Sequence, residues 1–111
     1  VCGGRRYYDR RRVFDTLDEI DGPQFAITCV IHGSATGADL LADEWATERK
    51  IEREAYPARW QERGRSAGPE RNARMLSEGR PELVVAFPGG RGTADMVRRA
   101  RAAGVRVLTV D

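Results

Sequence analysis

Three glycine-rich stretches hold the residues best suited to chemistry: Cys2-Gly3-Gly4-Arg5, His32-Gly33-Ser34-Ala35-Thr36-Gly37-Ala38-Asp39 and Pro88-Gly89-Gly90-Arg91-Gly92-Thr93. The third follows an apolar run, Leu83-Val84-Val85-Ala86-Phe87, and precedes a helical pattern ending at Ala103. Strand, glycine turn and helix together present backbone N–H groups and a positive helix end to a phosphate. Glycines allow the tight turn and let an anion approach with no Cβ in the way. Thr93 can cap this helix or turn its hydroxyl to a phosphate. Asp95 can complement the helix dipole, bind a ribose hydroxyl or act as an acid or base.

In the second stretch, His32 is the only histidine of the chain. It stands at the carboxyl end of an expected strand, where ligands bind in open α/β sheets. Ser34 has no acid partner near it in sequence, and its surroundings are not those of a nucleophile elbow. Thr36 is placed as an N-cap with Asp39 at the third helical position, a capping box that competes with ribose binding by Asp39. A further cluster is Ala67-Gly68-Pro69-Glu70-Arg71-Asn72-Ala73-Arg74-Met75. Arg71 and Arg74, three apart, share a helix face. Met75 and Leu76 mark the buried side, which leaves Arg71 near the helix start and free to reach a ligand. Trp60, just upstream, stacks on a base or covers the core. The chain lacks a Walker A lysine and a full dinucleotide fingerprint, which argues against P-loop hydrolysis and against an NAD dehydrogenase.

The elements that must position these residues alternate in type. Val1-Cys2 reads as the tail of a first strand, too short to be a whole one, so residues are expected upstream. A helix is expected over Asp9 to Ile20, with Val13, Phe14, Leu17 and Ile20 at helical spacing. Gly22-Pro23 ends it, and Phe25 to Ile31 reads as a buried strand. A second helix, from about Thr36 to Arg49, puts Ala38, Leu41, Ala42 and Trp45 on one face. Residues 51–56 form a third strand near the sheet edge, and 57–68 a polar, arginine-rich loop. A third helix follows with Pro69 in its first turn. Leu83 to Phe87, Arg91 to Ala103 and Val105 to Val110 supply the last strand, helix and strand, with Gly104 closing the helix.

Alternation of this kind predicts a single α/β domain over residues 1–111, a Rossmann-like, doubly wound parallel sheet of about five strands in the order 3-2-1-4-5. That order opens a crevice where the loops after strands one and four diverge, so Gly3-Gly4 and Gly89-Gly90 face each other across the ligand position.

Composition narrows the class. A length of 111 residues with 32% charged residues describes a globular domain, and the net charge of +2 is mild. Lys50 is the only lysine; arginine suits bidentate phosphate contacts, but a GC-rich genome accounts for most of its excess. Cys2 and Cys29 read as small strand hydrophobes, with no Cys/His cluster for a metal. No apolar run nears the ~20 residues that span a bilayer, and no secretory signal is visible, so a cytoplasmic setting without membrane association is expected.

Four motifs in order, at 2–5, 32–39, 67–72 and Phe87-Pro88-Gly89-Gly90-Arg91-Gly92-Thr93-Ala94-Asp95-Met96, resemble the YspA-like, YpsA-related branch of the SLOG superfamily. The resemblance covers nearly the whole chain and implies a Rossmann-like fold that binds a nucleotide or nucleotide-derived ligand, in some members as a sensor. The superfamily also includes the LOG phosphoribohydrolases, which cleave the N-glycosidic bond of cytokinin nucleotides. By that likeness Arg71 matches their catalytic arginine, while Met96 occupies the place of their glutamate and Asp95 stands one residue earlier, about 100° around the helix. The single-stranded-DNA-binding relative DprA adds a nucleic-acid alternative.

The expected site therefore combines Gly3, Gly4 and Arg5; His32, Gly33, Ser34 and Asp39; Arg71 and Asn72; and Pro88, Gly89, Gly90, Gly92 and Thr93. Arg71 and Asp95 are its candidate catalytic pair. The expected partner is a nucleotide or phosphorylated small molecule, without a metal or resident cofactor, and a homo-oligomer is left open.

Overall fold

A computed structural model describes all of residues 1–111. It is a mixed α/β structure of short parallel strand pairs and flanking helices. In chain order the elements are α1 (Arg10–Ile20), β1 (Cys29–His32), α2 (Ala38–Glu48), β2 (Glu52–Ala55), α3 (Trp60–Arg63), a 3-10 turn (Gly64–Ser66), α4 (Ala67–Ser77), β3 (Leu83–Ala86), α5 (Arg91–Ala102) and β4 (Arg106–Thr109).

Four strands form where five were expected, in two sheets and not one. β1 pairs with β2 and β3 with β4, both parallel. The place expected for strand one holds only Val1 and Cys2, too few residues for a ladder. Cys2 makes an isolated parallel bridge to Ala86, donating to Val85 O at 3.0 Å and accepting from Phe87 N at 2.9 Å. On its other side the Val1 ammonium donates to Ile31 O at 2.7 Å. Upstream of these contacts the two sheets enclose an apolar cavity of about 110 Å³ at the amino ends of β1 and β3, lined by residues such as Ile20, Ile27, Ile31, Met75 and Leu83.

β1 is also shorter than Phe25–Ile31. Its ladder begins at Cys29 opposite Glu52, and the chain before Glu52 turns away through Lys50 at φ 56°. Residues 25–28 therefore have no partner strand there, and the Ile27 N–H goes to the Asp21 carboxylate at 2.9 Å. β2 is exposed throughout, as an edge strand should be.

Two cores flank the strands. Val13, Leu17, Leu41, Trp45, Val85 and Phe87 belong to the one formed with α1 and α2; Met75, Val84, Ala86, Met96 and Ala100 belong to the one formed with α4 and α5. Successive residues of β3 thus serve opposite faces, the period-2 alternation of a strand covered on both sides. Local signals set the helix ends. Asp9 caps α1 by accepting from the Arg12 N–H at 3.0 Å. Gly104, at φ 76°, follows α5. α4 begins two residues before Pro69, which lies in the first turn where its missing N–H goes unused. The segment 57–68, expected as a loop, contains α3 and the 3-10 turn, with Gly64 at φ 55° between them; a four-residue helix is too short to show a hydrophobic period. No helix is long and apolar enough to cross a membrane.

Candidate functional site

At the carboxyl ends of the strands the first and last glycine loops touch. Gly4 N–H donates to Pro88 O at 2.8 Å. A Cβ on Gly4 would lie 3.0 Å from Pro88 O, and one on Gly89 would lie 2.7 Å from Gly4 N and overlap the Thr93 hydroxyl. A Cβ on Gly3 would come within 2.5 Å of the Ala38 Cβ. These three glycines are accounted for by close packing against neighbouring backbone and side-chain atoms. Gly90 and Gly92 differ, since a Cβ there would meet nothing within 4 Å. The open space expected over the glycine loop lies at its helix end.

That end is uncapped. Gly90, not Thr93, is the N-cap of α5, at φ −101°, and no side chain caps it. The first turn closes with Ala94 N–H on Gly90 O at 3.0 Å. Thr93 sits inside the helix, its hydroxyl against Gly89, because the turn at Gly89-Gly90 brings the chain into helical geometry before Thr93 is reached. The N–H groups of Arg91, Gly92 and Thr93 have no protein acceptor, and no carboxylate sits in the first turn. Such a turn carries the partial positive charge of the helix unmatched.

The loop after β1 is built differently. The N-cap of α2 is Gly37 at φ 76°, and the Thr36 hydroxyl donates instead to Arg5 O at 2.9 Å, so no capping box forms. A Cβ on Gly37 would press on the Arg5 carbonyl, and the left-handed φ is one that L side chains rarely adopt. Asp39, 5% exposed, turns back to accept from Gly33 N–H at 2.9 Å and Ala35 N–H at 3.3 Å through Oδ2. Its Oδ1 accepts no hydrogen bond and keeps contact with solvent. Ser34 is held at φ 61°, with its N–H on His32 Nδ1 at 3.0 Å. An Nδ1 that accepts leaves the ring proton on Nε2, which faces Asp43 Oδ2 at 2.7 Å. His32 is thereby a buried brace between loop and helix. Burial raises the Asp43 carboxyl pKa, but hydrogen bonds from His32 and Arg53 outweigh it and hold it below its usual value.

Arg71 joins the two sides. Its Nη1 donates to Gly33 O at 2.6 Å and its Nε to Asn72 Oδ1 at 3.1 Å. Asn72 in turn donates through Nδ2 to Gly92 O at 3.1 Å and Asp95 Oδ2 at 3.0 Å. One buried amide therefore fixes the guanidinium relative to the first turn of α5. Arg71 is half-buried with no carboxylate within ion-pair distance. Burial pushes its pKa down, the charge of Asp39 opposes this, and Arg5 adds to the lowering. Gly33 has no room for a Cβ because the guanidinium occupies that space.

Asp95 is committed to this scaffold. Arg98, and Arg99 Nε at 2.8 Å, both hold its carboxylate. Burial raises its pKa, but Asn72, Arg99 and Arg98 together hold it below the usual carboxylate range. Met96, 4% exposed, faces the core with Met75 and Val84. Arg74, expected beside Arg71, pairs with Glu78 at 3.1 Å and lies over the Tyr56 ring. Trp60 is 47% exposed, lies under the Arg5 guanidinium at 5.0 Å and packs on Gly68. Sequence reasoning missed Asp43 and Arg53, the partners that hold His32. The spacing of Asp43 four residues after Asp39, on one face of α2, was the available signal. No group of three or more His, Cys, Asp or Glu side chains gathers at metal-ligating distance.

Comparison with known proteins places this geometry in a wider setting. The model of the YspA, cpYpsA-related SLOG family matches residues 1–62, which carry the first two glycine loops. The chain is similar to the Gene 61 protein of Mycobacterium phage D29, 37% identical over 116 residues that cover 97% of this chain and 91% of that protein. That alignment runs well beyond residue 62. No solved structure matches.

Proposed function

Since the chain belongs to the YspA, cpYpsA-related SLOG family, we propose that it is a nucleotide-binding domain whose crevice holds a 5′-phosphate between the start of α5 and Arg71. The observation that carries this reading is the pairing of two unmatched positive features. The N–H groups of Arg91, Gly92 and Thr93 have no acceptor, and the half-buried Arg71 guanidinium has no carboxylate. Asn72 links the two. An anion there supplies the acceptors that the protein withholds. Asp39 Oδ1 is the acceptor free for ribose hydroxyls. The exposed glycines around residues 89–92 leave room above the loop.

Binding is favoured over N-glycosidic hydrolysis. A carboxylate that steadies or deprotonates a reacting ribosyl group must be free to approach it. Asp95 is already held by three donors, and the neighbouring Met96 faces the core. The role we assign to Asp95 is to position Asn72 and, through it, Arg71. The same reading includes a continuous Rossmann-like sheet in the order 3-2-1-4-5. Its support is the pair of contacts by which Val1 and Cys2 touch β1 on one side and β3 on the other.

Calorimetric titration with nucleoside 5′-monophosphates tests the proposal. Wild-type protein binds with saturation, and Gly90→Asp, which puts a carboxylate on the open turn where there is space for it, binds at least tenfold more weakly while staying folded. No binding by wild type, or equal binding by the variant, overturns it.

A further inference from the structure

Arg71 also faces a second recess. α3 and α4 border a groove of about 300 Å³ whose lining includes Arg59, Arg63, Arg71 and Arg74 with a single carboxylate, Glu70. That volume is at the lower end of the ~300–1,000 Å³ typical of small-molecule sites. Four arginines against one glutamate in the lining is an excess of positive charge, offset only in part by Glu78 on Arg74. Glu70 reaches Arg63 only at 3.6 Å, through Nε. Arg74 uses Nε for Glu78, which lies outside the groove. Arg59 has no carboxylate partner, and neither has Arg71. The Nη groups of Arg59, Arg63 and Arg74 therefore remain available, as does Nη2 of Arg71, and forked guanidinium groups grip a phosphate at two points.

The groove and the crevice share a wall. Arg71 lines the groove, yet its Nη1 is fixed on Gly33 O in the crevice. Beside them stands Trp60, the first residue of α3, whose half-exposed indole lies under Arg5 from the first glycine loop. Flat aromatic and arginine surfaces next to a cationic groove suit a base with a phosphate attached.

We infer that the ligand extends out of the crevice and that the arginine groove is a second phosphate subsite, so that the preferred ligand is a nucleotide carrying two phosphate groups. This rests on the nucleotide reading of the crevice and adds the ligand class. A pyrophosphate and a phosphodiester-linked dinucleotide both present such a second phosphate, at different distances from the first. Arg71 is common to both subsites, whereas Arg59 and Arg63 belong to the groove alone.

The test compares AMP, ADP and the 5′-phosphorylated dinucleotide pApA by calorimetry. It uses wild type, Arg59→Ser/Arg63→Ser, and Arg101→Ser/Arg106→Ser as a control with the same change in net charge on exposed positions elsewhere. The expected result is that ADP or pApA binds wild type and the control at least tenfold more tightly than AMP. The groove variant loses that gain while its affinity for AMP changes less than twofold. Which of the two ligands gains identifies the spacing. AMP binding with no gain from either ligand, or a gain that survives in the groove variant, overturns this inference and leaves the crevice reading intact. Failure of all three ligands to bind wild type overturns both.

Discussion

α2 and α5 each begin at a glycine on the loop that follows a strand, yet they start in opposite ways. At α2, Gly37 is left-handed, Ala38 N–H donates to Gly4 O at 3.2 Å, and Asp39 brings a carboxylate into the first turn. At α5, Gly90 has an ordinary φ, no carboxylate is present, and three N–H groups have no acceptor. One helix start has a protein carbonyl on its first N–H and a carboxylate in its first turn. The other has neither. Two similar loops thus differ in what they leave open, and on the proposed reading the α5 loop is the one that recognises a ligand.

Breaking the closed start costs the most. Gly37→Ala forces a Cβ onto the Arg5 carbonyl in a left-handed backbone, with about 1–2 kcal/mol for the conformation and about 1–3 kcal/mol for the overlap. Urea denaturation should show a loss of roughly 2–5 kcal/mol, whereas Gly90→Ala, in open space at φ −101°, should change stability by less than about 0.5 kcal/mol. Equal losses at the two glycines would remove the distinction. Next in size is Asp39→Ala, which leaves the N–H groups of Gly33 and Ala35 without their acceptor and should cost about 2 kcal/mol. Thermal melting checks it, and an unchanged Tm would mean that the carboxylate does not hold this loop.

The smallest effect is on acid stability. Asp43 and Asp95 have pKa values below their ordinary range in the folded protein. Each contributes stability that is fully present above the unfolded carboxyl pKa of about 3.9 and is lost as pH falls through the lower folded value. Denaturation midpoints should therefore fall below about pH 4, and less so in Asp95→Asn. A midpoint independent of pH between 5 and 2 would contradict the ion pairs drawn for both groups.

Much of this was legible in the chain. The alternation of apolar runs and helical periods located the four strands and the α1, α2, α4 and α5 helices to within a few residues. Trp45 and Leu41 are buried on the face that their spacing marks. Arg71 stood out as a cation near a helix start. What it touches did not, because its contact with Gly33 O spans 38 positions of sequence. The caps were misread for a local reason. Ser/Thr-x-x-acid marks a capping box only if the Thr sits at the helix boundary, and the Arg5 carbonyl, distant in sequence, takes the Thr36 hydroxyl instead. Thr93 fell inside its helix in the same way, because two glycines before it turned the chain early. The glycines of the first and last loops were read as anion cradles, though Gly3, Gly4 and Gly89 are explained by close packing and, in these two loops, only Gly90 and Gly92 border open space.

The central claim is that α5 and Arg71 together receive a phosphate. The most direct measurement is a set of backbone amide chemical shifts recorded while a nucleoside 5′-monophosphate is titrated into the protein. The account predicts saturable shifts centred on Arg91, Gly92, Thr93 and Gly33, lost in Gly90→Asp. Shifts confined to the apolar cavity between the two sheets, or no shifts at all, would contradict it.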